Sequence, residues 1–162
     1  MGRILHLRRG SRVALYASLP EELDTHELIC LALRRGWKIY LPRIDRRRRG
    51  RQMQFVQLGS KHRTNRLGIR EPLGSRTISP RHLDVVFQPL VGFAARGVRL
   101  GAGGGYYDRA FAFRRGRRFW HAPRLIGIAY SFQQLERITP AAHDVLLDAV
   151  VTEKGIIQCA TG

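Results

Sequence analysis

A cluster of glycines with charged flanks is the part of this sequence whose residue types and spacing could do chemistry. Gly101 to Gly105 leads into Tyr106 and Tyr107, with Arg99 just before the cluster and Asp108 just after it. Backbone N–H groups in such a turn can point at an anion, and glycine lets the backbone approach without a Cβ in the way. Arginine pairs with phosphate oxygens, and Mg²⁺ prefers carboxylate and phosphate oxygens. The segment therefore predicts a phosphate-binding loop that leads into a helix.

By spacing alone, the loop matches neither common nucleotide-binding pattern. A Walker A loop needs Lys and Ser/Thr after its last glycine, and a dinucleotide fingerprint would need glycine where Tyr106 stands. A glycine turn that binds nothing stays open as an alternative. No Gly-x-Ser-x-Gly elbow is present, and the six histidines and two cysteines lack zinc-ligand spacing. Cys30 and Cys159 could form a disulfide, but two thiols in a cytoplasmic protein are the favoured interpretation.

Apolar runs that alternate with a helix pattern predict the elements that must position this loop. Asp24 and Glu27 predict a capping box at a helix start, and Gly36 predicts a left-handed residue just after the helix end. Pro42 is expected to end the strand that follows. Strand, helix, strand at this spacing predicts parallel strands in a right-handed crossover. Strands are predicted at 12–18, 37–41, 53–58, 83–87 and 124–130, with turns at 59–80 and a terminal pair at 149–152 and 155–157.

Length and composition indicate one α/β domain over residues 1–162. The chain is 44% hydrophobic and has no apolar run long enough to cross a bilayer, so a cytoplasmic protein is expected. Its net charge is +17, almost entirely from arginine, which attracts anions. GC-rich coding, which favours arginine over lysine, is the preferred origin of most of this charge. The charge run at 45–51 predicts a solvated loop or hairpin tip. No RNA-binding pattern of interleaved aromatic and basic residues is present, so no specific nucleic-acid partner is expected.

The loop and its surroundings resemble one enzyme family. RLGAGGGYYD, at 99–108, resembles the Arg-Leu-Gly-x-Gly-x-Gly-Tyr-Tyr-Asp signature of 5-formyltetrahydrofolate cyclo-ligases, also called methenyltetrahydrofolate synthetases. PLVGFAARGVR, at 89–99, is similar to the lead-in to that signature. The resemblance runs from about residue 12 to 151, and motifs in the right order are more specific than any one alone. The other matching segments are Ser18 with Glu22 and Thr25, Leu41-Pro42-Arg43, IREP at 69–72, and His143-Asp144.

This resemblance implies a fold and a reaction. The fold is a three-layer α/β/α, Rossmann-like arrangement with a mostly parallel, mixed sheet of the NagB/RpiA/CoA-transferase-like type. The reaction is the ATP- and Mg-dependent conversion of 5-formyltetrahydrofolate to 5,10-methenyltetrahydrofolate with release of ADP and phosphate. In the family the formyl oxygen is phosphorylated, the neighbouring amine attacks the activated carbon, and phosphate leaves. The implied partners are these small molecules, with no membrane partner, and a monomer is expected.

Carried over residue by residue, the resemblance implies a site with three parts. Glu22 and Ala17 would bind folate together with Tyr106, and Asp108 and Asp144 would hold Mg²⁺. No general base is assigned, because the chemistry relies on positioning and charge. Taken singly, Glu22 could be an acidic residue before a helix, Asp144 a turn or cap residue, and the neighbouring histidine structural. The implied ATP-binding residues are Arg99, Leu100, Gly101, Ala102, Gly103, Gly104, Gly105, Tyr106 and Tyr107, of which Arg99 and Tyr106 would be catalytic.

Two departures from the family pattern keep alternatives open. Members usually have one or two helices before the first strand, including a basic cluster that contacts ATP phosphate, whereas this chain reaches its first predicted strand near Arg12. An N-terminally shortened domain is therefore expected, with Arg8, Arg9 or Arg12 as substitutes for the lost cations. Ala102 stands where a large residue is usual. The alternatives are a degenerate member that binds nucleotide or folate without turnover, and a basic nucleic-acid-binding protein.

Overall fold

The computed structural model describes residues 7–19, 22–45, 52–59, 62–64, 70–72, 74–115 and 122–159. No helix in these ranges is long and apolar enough to cross a bilayer. The α-helices described are His26–Arg34 (α1) and Tyr106–Ala110 (α2), and the 3-10 turns are Pro80–His82, Ala112–Arg114 and Ser131–Gln133. The strands are Arg12–Ala14 (β1), Lys38–Asp45 (β2), Gln52–Gln57 (β3), His62–Thr64 (β4), Arg70–Pro72 (β5), Thr77–Ile78 (β6), Val85–Pro89 (β7), Gly92–Phe93 (β8), Arg99–Leu100 (β9), Arg124–Ile128 (β10), Ala149–Thr152 (β11) and Gly155–Gln158 (β12).

A mixed sheet in the order β12-β11-β10-β7-β1-β2-β3-β6 forms the centre of the fold. Its five central strands, from β11 to β2, are all parallel to one another. Antiparallel pairing adds β12 at one edge and β3 and β6 at the other. The predicted mostly parallel, mixed sheet is confirmed. Because the central strands are parallel, their carboxyl ends meet at one edge, which is where open α/β sheets bind ligands.

Each face of the sheet has its own apolar core, as a layered α/β fold requires. Val85 and Val86 are neighbours on β7, so their side chains point to opposite faces. Val85 belongs to the core that includes Ala32 of α1. Val86 belongs to the core that includes Phe111, the residue just after α2. The two helices therefore cover opposite faces, which confirms the predicted α/β/α layering.

The start of α1 differs from the prediction, and its end confirms it. The N-cap is Thr25, with no side-chain capping bond, so the capping box predicted with Asp24 is absent. Asp24 still stabilises the helix start, because its Oδ1 accepts the backbone N–H of His26 at 2.9 Å. Gly36 has φ +72°, and its N–H donates to the carbonyl of Leu33 at 2.9 Å. This is the left-handed C′ geometry that the glycine predicts.

Strand β2 continues through Pro42, so the predicted strand end there is wrong. The carbonyl of Tyr40 accepts the N–H of Leu15 on the β1 side, and position 42 faces the same side because backbone direction alternates along a strand. β1 has already ended at Ala14, so no strand needs the N–H that proline lacks. On its other side β2 pairs with β3, with Pro42 opposite Phe55.

The remaining strand predictions hold to within a few residues, with two differences. The first strand ends at Ala14 rather than 18, because the chain leaves the sheet to form the loop that precedes α1. Residues 59–80, predicted as turns, include the short strands β4, β5 and β6 among their described parts. Most of the charge run, at 46–51, and Ile69 lie outside the described residues. Asp45 and Gln52, on either side of the run, pair with each other as at the base of a hairpin.

The two cysteines are free thiols, which agrees with the favoured interpretation. Cys159 is buried on the β12 side of the fold. Burial raises the pKa of its thiol to about 11, so the thiol is protonated and unreactive near neutral pH.

A buried ion pair joins the turn that follows α2 to the sheet. Both terminal nitrogens of Arg114, in the 3-10 turn after α2, donate to the two carboxylate oxygens of Asp148 at 2.8 and 2.9 Å. Asp148 also accepts the backbone N–H of Leu125 at 2.6 Å. The two side chains are 12% and 16% exposed, so solvent screens the pair weakly. This clamp holds the turn that follows α2 against the β10 side of the sheet.

Candidate active site

The loop that carries Glu22 leaves the carboxyl end of β1 and is held together by its own hydrogen bonds. The hydroxyl of Thr25 donates to the carbonyl of Tyr16 at 2.6 Å, and the phenol of Tyr16 donates to the carbonyl of Leu23 at 3.2 Å. Glu22 Oε2 accepts the N–H of Leu19 at 2.9 Å. Thr25 is 1% exposed, so its bond to Tyr16 is shielded from water. These bonds fix the Glu22 carboxylate beside the end of β1.

The glycine loop between β9 and α2 is exposed from Leu100 to Gly104, so its backbone is accessible to a ligand. Gly105 is the N-cap of α2 with φ +58°, a conformation that L side chains rarely adopt. Gly104 is required for a different reason, since a Cβ there would lie 2.6 Å from the Tyr106 ring. The predicted turn into a helix is confirmed. However, α2 has five residues, so its dipole adds less to anion binding than a full-length helix would.

The Glu22 loop and the glycine loop meet at two tyrosines. Burial raises the pKa of the Tyr107 phenol, and the negative charge of Glu22 raises it further. The pKa of Tyr16 is raised by the same two causes in the same order. The Glu22 carboxylate is therefore within electrostatic range of both phenols. Both tyrosines are therefore neutral hydrogen-bond donors at physiological pH. Ala17, one residue beyond Tyr16, is partly exposed at the same edge.

Arg99 and Asp108, which the sequence places on either side of the loop, are bonded to each other. Arg99 NH2 donates to Asp108 Oδ1 at 2.8 Å, and Arg99 NH1 donates to the carbonyl of Val145. The N–H of Val145 donates to the same Asp108 oxygen at 3.0 Å. The Arg99 side chain is only 6% exposed. In this structure the guanidinium that was expected to face phosphate holds the glycine loop against the 141–145 segment instead.

Asp144 lies in that segment, immediately before Val145, which is hydrogen-bonded to Asp108. Its Oδ2 accepts the N–H of Ala141 at 2.8 Å, which is the turn-capping role that the sequence left open. His143 is 73% exposed on the side chain and 3.8 Å from the Asp144 carboxylate. The bond from Val145 to Asp108, at one corner of the site, joins the segment that carries Asp144 to the other carboxylate implied as a Mg²⁺ ligand.

Asp108 and Asp144 at this corner fit Mg²⁺ only if substrate phosphates and water supply the remaining ligands. In the described ranges, no group of three or more His, Cys, Asp or Glu side chains converges on one point. Asp108 accepts both of its hydrogen bonds on Oδ1, and no described residue donates to its Oδ2. Mg²⁺ is commonly bound by one or two carboxylates together with substrate phosphates and water. Two carboxylates beside an exposed glycine loop match that arrangement.

One arginine at the loop was not assigned a role from the sequence. The guanidinium carbon of Arg109 lies 5.0 Å from the centre of the Tyr106 ring. A Cβ at Gly105 would lie 3.0 Å from Arg109 NH1, so this group is at the loop backbone. Its spacing in the sequence could have indicated this position, because the side chain of a residue four positions after the N-cap glycine leans back toward that glycine.

A cavity of about 570 Å³ lies between the β8-β9 hairpin tip and residues 136–140. It is lined by Ala94, Arg96, Val98, Arg137 and Pro140, among others. None of the folate-, nucleotide- or metal-binding residues predicted from the sequence lines it. The site residues predicted from the sequence therefore lie outside this cavity, around the exposed glycine loop.

Comparison with known proteins gives one consistent result. The model of the 5-formyltetrahydrofolate cyclo-ligase family matches residues 2–153. The chain is 37% identical over 144 residues to the 5-formyltetrahydrofolate cyclo-ligase of Escherichia coli K12, covering 86% of this chain and 76% of that protein. It is 33% identical over 152 residues to the Haemophilus influenzae enzyme of the same name, covering 91% and 79%. The solved structure of Aquifex aeolicus 5,10-methenyltetrahydrofolate synthetase is similar with a TM-score of 0.74 and 30% identity, covering 94% of this chain and 74% of that one.

Proposed function

The chain belongs to the 5-formyltetrahydrofolate cyclo-ligase family, and we propose that it uses ATP to close 5-formyltetrahydrofolate to 5,10-methenyltetrahydrofolate at the carboxyl edge of its sheet. The observation that supports this site most is that the charge of the Glu22 carboxylate acts on the phenol of Tyr107, at the end of the glycine loop. The carboxylate proposed to bind folate and the loop proposed to bind ATP are therefore within electrostatic range of each other, as a two-substrate site requires.

The ATP phosphates are assigned to the glycine loop from Gly101 to Gly105. The loop is exposed from Leu100 to Gly104, so its backbone N–H groups are accessible to a ligand there. Arg99 supports the loop from beneath through Asp108 and Val145, which gives this cation a positioning role in addition to its charge. Backbone donors in a fixed loop stabilise a transferring phosphoryl group without reorganising during the reaction.

The folate is assigned to the Glu22 side of the site. A pterin carries N–H donors on one edge, and a carboxylate is the strongest acceptor that can face them. Tyr106, whose ring lies over Gly104, is assigned to the folate from the side of the glycine loop. Ala17 is a small residue at the same edge and leaves room for a flat ring.

The reaction assigned to this site has two steps. The formyl oxygen attacks the γ-phosphorus of ATP, an oxygen–phosphorus bond forms, and ADP leaves. The neighbouring N10 amine then attacks the formyl carbon, loses its proton, and expels inorganic phosphate as the ring closes. Neither step needs a protein nucleophile, so the chain contributes orientation and charge. Mg²⁺ bound by Asp108 and Asp144 would neutralise the phosphate oxygens.

The assignment is tested by changing Glu22 while following the methenyl product by its near-ultraviolet absorbance. Glu22→Gln keeps an oxygen for the Leu19 N–H and removes the charge. We expect the KM for 5-formyltetrahydrofolate to rise about tenfold, the loss of roughly 1.4 kcal/mol, with the KM for ATP within twofold of wild type. Glu27→Gln, on the exposed first turn of α1, is the matched control and should change neither KM. An unchanged folate KM in Glu22→Gln would exclude this assignment.

A further inference from the structure

Arg109 is a cation at the glycine loop that the family signature does not account for. Arg99, the cation that the sequence assigns to phosphate, is 6% exposed and bonded to Asp108 and to the carbonyl of Val145. Turning Arg99 toward the loop would break its bonds to the partly buried Asp108 carboxylate and to the Val145 carbonyl, which is costly. In the loop itself, Ala102 stands where the family usually has a large residue, so one side-chain contact to a ligand is missing. A triphosphate on this loop therefore needs another positive group.

The geometry of α2 directs Arg109 at the loop. The backbone N–H of Arg109 donates to the carbonyl of Gly105 at 3.1 Å, so Arg109 lies about one helical turn after the N-cap. Helical side chains lean toward the N-terminus, onto the residue four positions earlier. The position of Arg109 NH1, 3.0 Å from where a Cβ of Gly105 would be, agrees with this direction. A larger residue at 105 would displace the guanidinium.

Tyr106 holds the Arg109 guanidinium in place from the other side. The ring covers Gly104, and the guanidinium carbon lies 5.0 Å from the ring centre, within the range of a cation–π contact. Among the residues that the structure describes, no carboxylate forms an ion pair with Arg109. The residue is exposed, so its charge is available to an anion on the loop.

We propose that Arg109, stacked on Tyr106, binds the phosphates of ATP on the glycine loop. It takes the role that was expected of Arg99, which is paired with Asp108 instead. This rests on the proposed function for the identity of the nucleotide. Arginine suits the role because its planar group can stack on a ring and still present N–H donors to phosphate oxygens at its edge. Arg109 would touch the phosphates directly, whereas Arg99 would act through the loop.

The test compares Arg109→Ala, Arg109→Lys and Arg81→Ala in ATP binding by calorimetry and in steady-state turnover. Arg81 is the matched control, because it is also exposed and its guanidinium carbon also lies over an aromatic ring, at 4.3 Å from the centre of Phe113, away from the loop. We expect Arg109→Ala to raise the Kd and KM for ATP at least tenfold with the folate KM within twofold. Arg109→Lys should recover part of the loss, and Arg81→Ala should match wild type.

Two outcomes would overturn the inference: an ATP Kd for Arg109→Ala within twofold of wild type, or an equal loss in Arg81→Ala. Thermal unfolding of each variant checks that the exposed substitutions leave the fold intact. The proposed function can fail separately. A wild-type chain that binds ATP but forms no methenyl product would contradict the proposed function, while the calorimetric comparison would still decide the role of Arg109.

Discussion

The guanidinium of Arg99 and the carboxylate of Asp108 form an ion pair of 2.8 Å across the base of the glycine loop. The Asp108 side chain is 19% exposed and also accepts the N–H of Val145 at 3.0 Å. One carboxylate therefore joins β9, α2 and the 141–145 segment, and the same carboxylate is a proposed Mg²⁺ ligand. A substitution at Asp108 should for this reason affect stability and metal use together.

Asp108→Asn tests that double role against Asp148→Asn. Asp148 has similar exposure, an arginine partner at 2.8 Å and a backbone N–H donor, but lies away from the loop. Both variants should lose about 2 kcal/mol of unfolding free energy, because each removes a charged acceptor from a buried arginine. Only Asp108→Asn should need a higher Mg²⁺ concentration for half-maximal rate, by about tenfold, measured by Mg²⁺ titration of turnover. An equal Mg²⁺ requirement in the two variants would remove Asp108 from the metal site.

Gly104→Ala tests the packing of Tyr106 over the loop. The added Cβ would lie 2.6 and 2.7 Å from ring carbons of Tyr106, so the ring must move away. We expect the KM for ATP to rise about tenfold, or roughly 1.4 kcal/mol, in initial-rate measurements with folate saturating. Gly101→Ala is the control, since a Cβ at Gly101 would meet nothing within 4 Å and its φ is not in the left-handed region. Equal effects of the two substitutions would show that the ring position is unimportant.

Acid should weaken the ion pair between Arg12, at the start of β1, and Asp84, just before β7. Burial of Asp84 raises its pKa, but the side-chain and backbone hydrogen bonds from Arg12 outweigh burial and hold the pKa below its usual value. A lowered folded-state pKa means that the stabilisation is present above about pH 4 and is lost as the pH falls through the folded pKa. Asp84→Asn should cost about 1 kcal/mol at pH 7, because both side chains are partly exposed and solvent screens the pair.

Urea unfolding as a function of pH measures this effect. The stability difference between wild type and Asp84→Asn should shrink as the pH falls below about 4, since the wild-type carboxylate becomes neutral there. Exposed Glu27→Gln serves as the control. A difference that is constant from pH 7 into the acid range would mean that the charge of Asp84 contributes nothing to stability.

Gln88 on β7 is a buried polar side chain without a partner among the described residues. It is 0% exposed, and in the part of the chain that the structure describes neither amide atom makes a hydrogen bond. An unsatisfied buried amide costs about 1–3 kcal/mol, so Gln88→Met should raise the free energy of unfolding by about 1 kcal/mol. The urea midpoint measures this change. Gln54→Met is the control and should not stabilise, because Gln54 accepts a hydrogen bond from Arg43 at 3.2 Å. A lower midpoint in Gln88→Met would indicate an unseen partner.

Local backbone rules predicted much of the fold from the sequence, and they failed where a long-range contact decided the outcome. Gly36 ends α1 as predicted, because its left-handed φ depends on neighbours within one turn. Pro42 did not end β2, because the cost of its missing N–H depends on where β1 stops. Thr25 replaced Asp24 as N-cap because its hydroxyl is bonded to Tyr16 across the loop.

In the candidate site, too, local features could be predicted from the sequence and long-range contacts could not. The glycine loop and its helix follow from a local motif, and the resemblance identified Glu22 and Asp108 as candidates before any geometry was known. The pairing of Arg99 with Asp108 depends on how the 141–145 segment folds against the loop. Sequence spacing carries no information on that contact.

The most direct test of the central claim is to measure methenyl product and ADP together in one reaction of the wild-type chain with 5-formyltetrahydrofolate, ATP and Mg²⁺. If both substrates react at the carboxyl edge of the sheet, ADP should form only when folate is present and in equal amount to 5,10-methenyltetrahydrofolate. ADP release without methenyl product, or the absence of both products when each substrate binds, would contradict the claim.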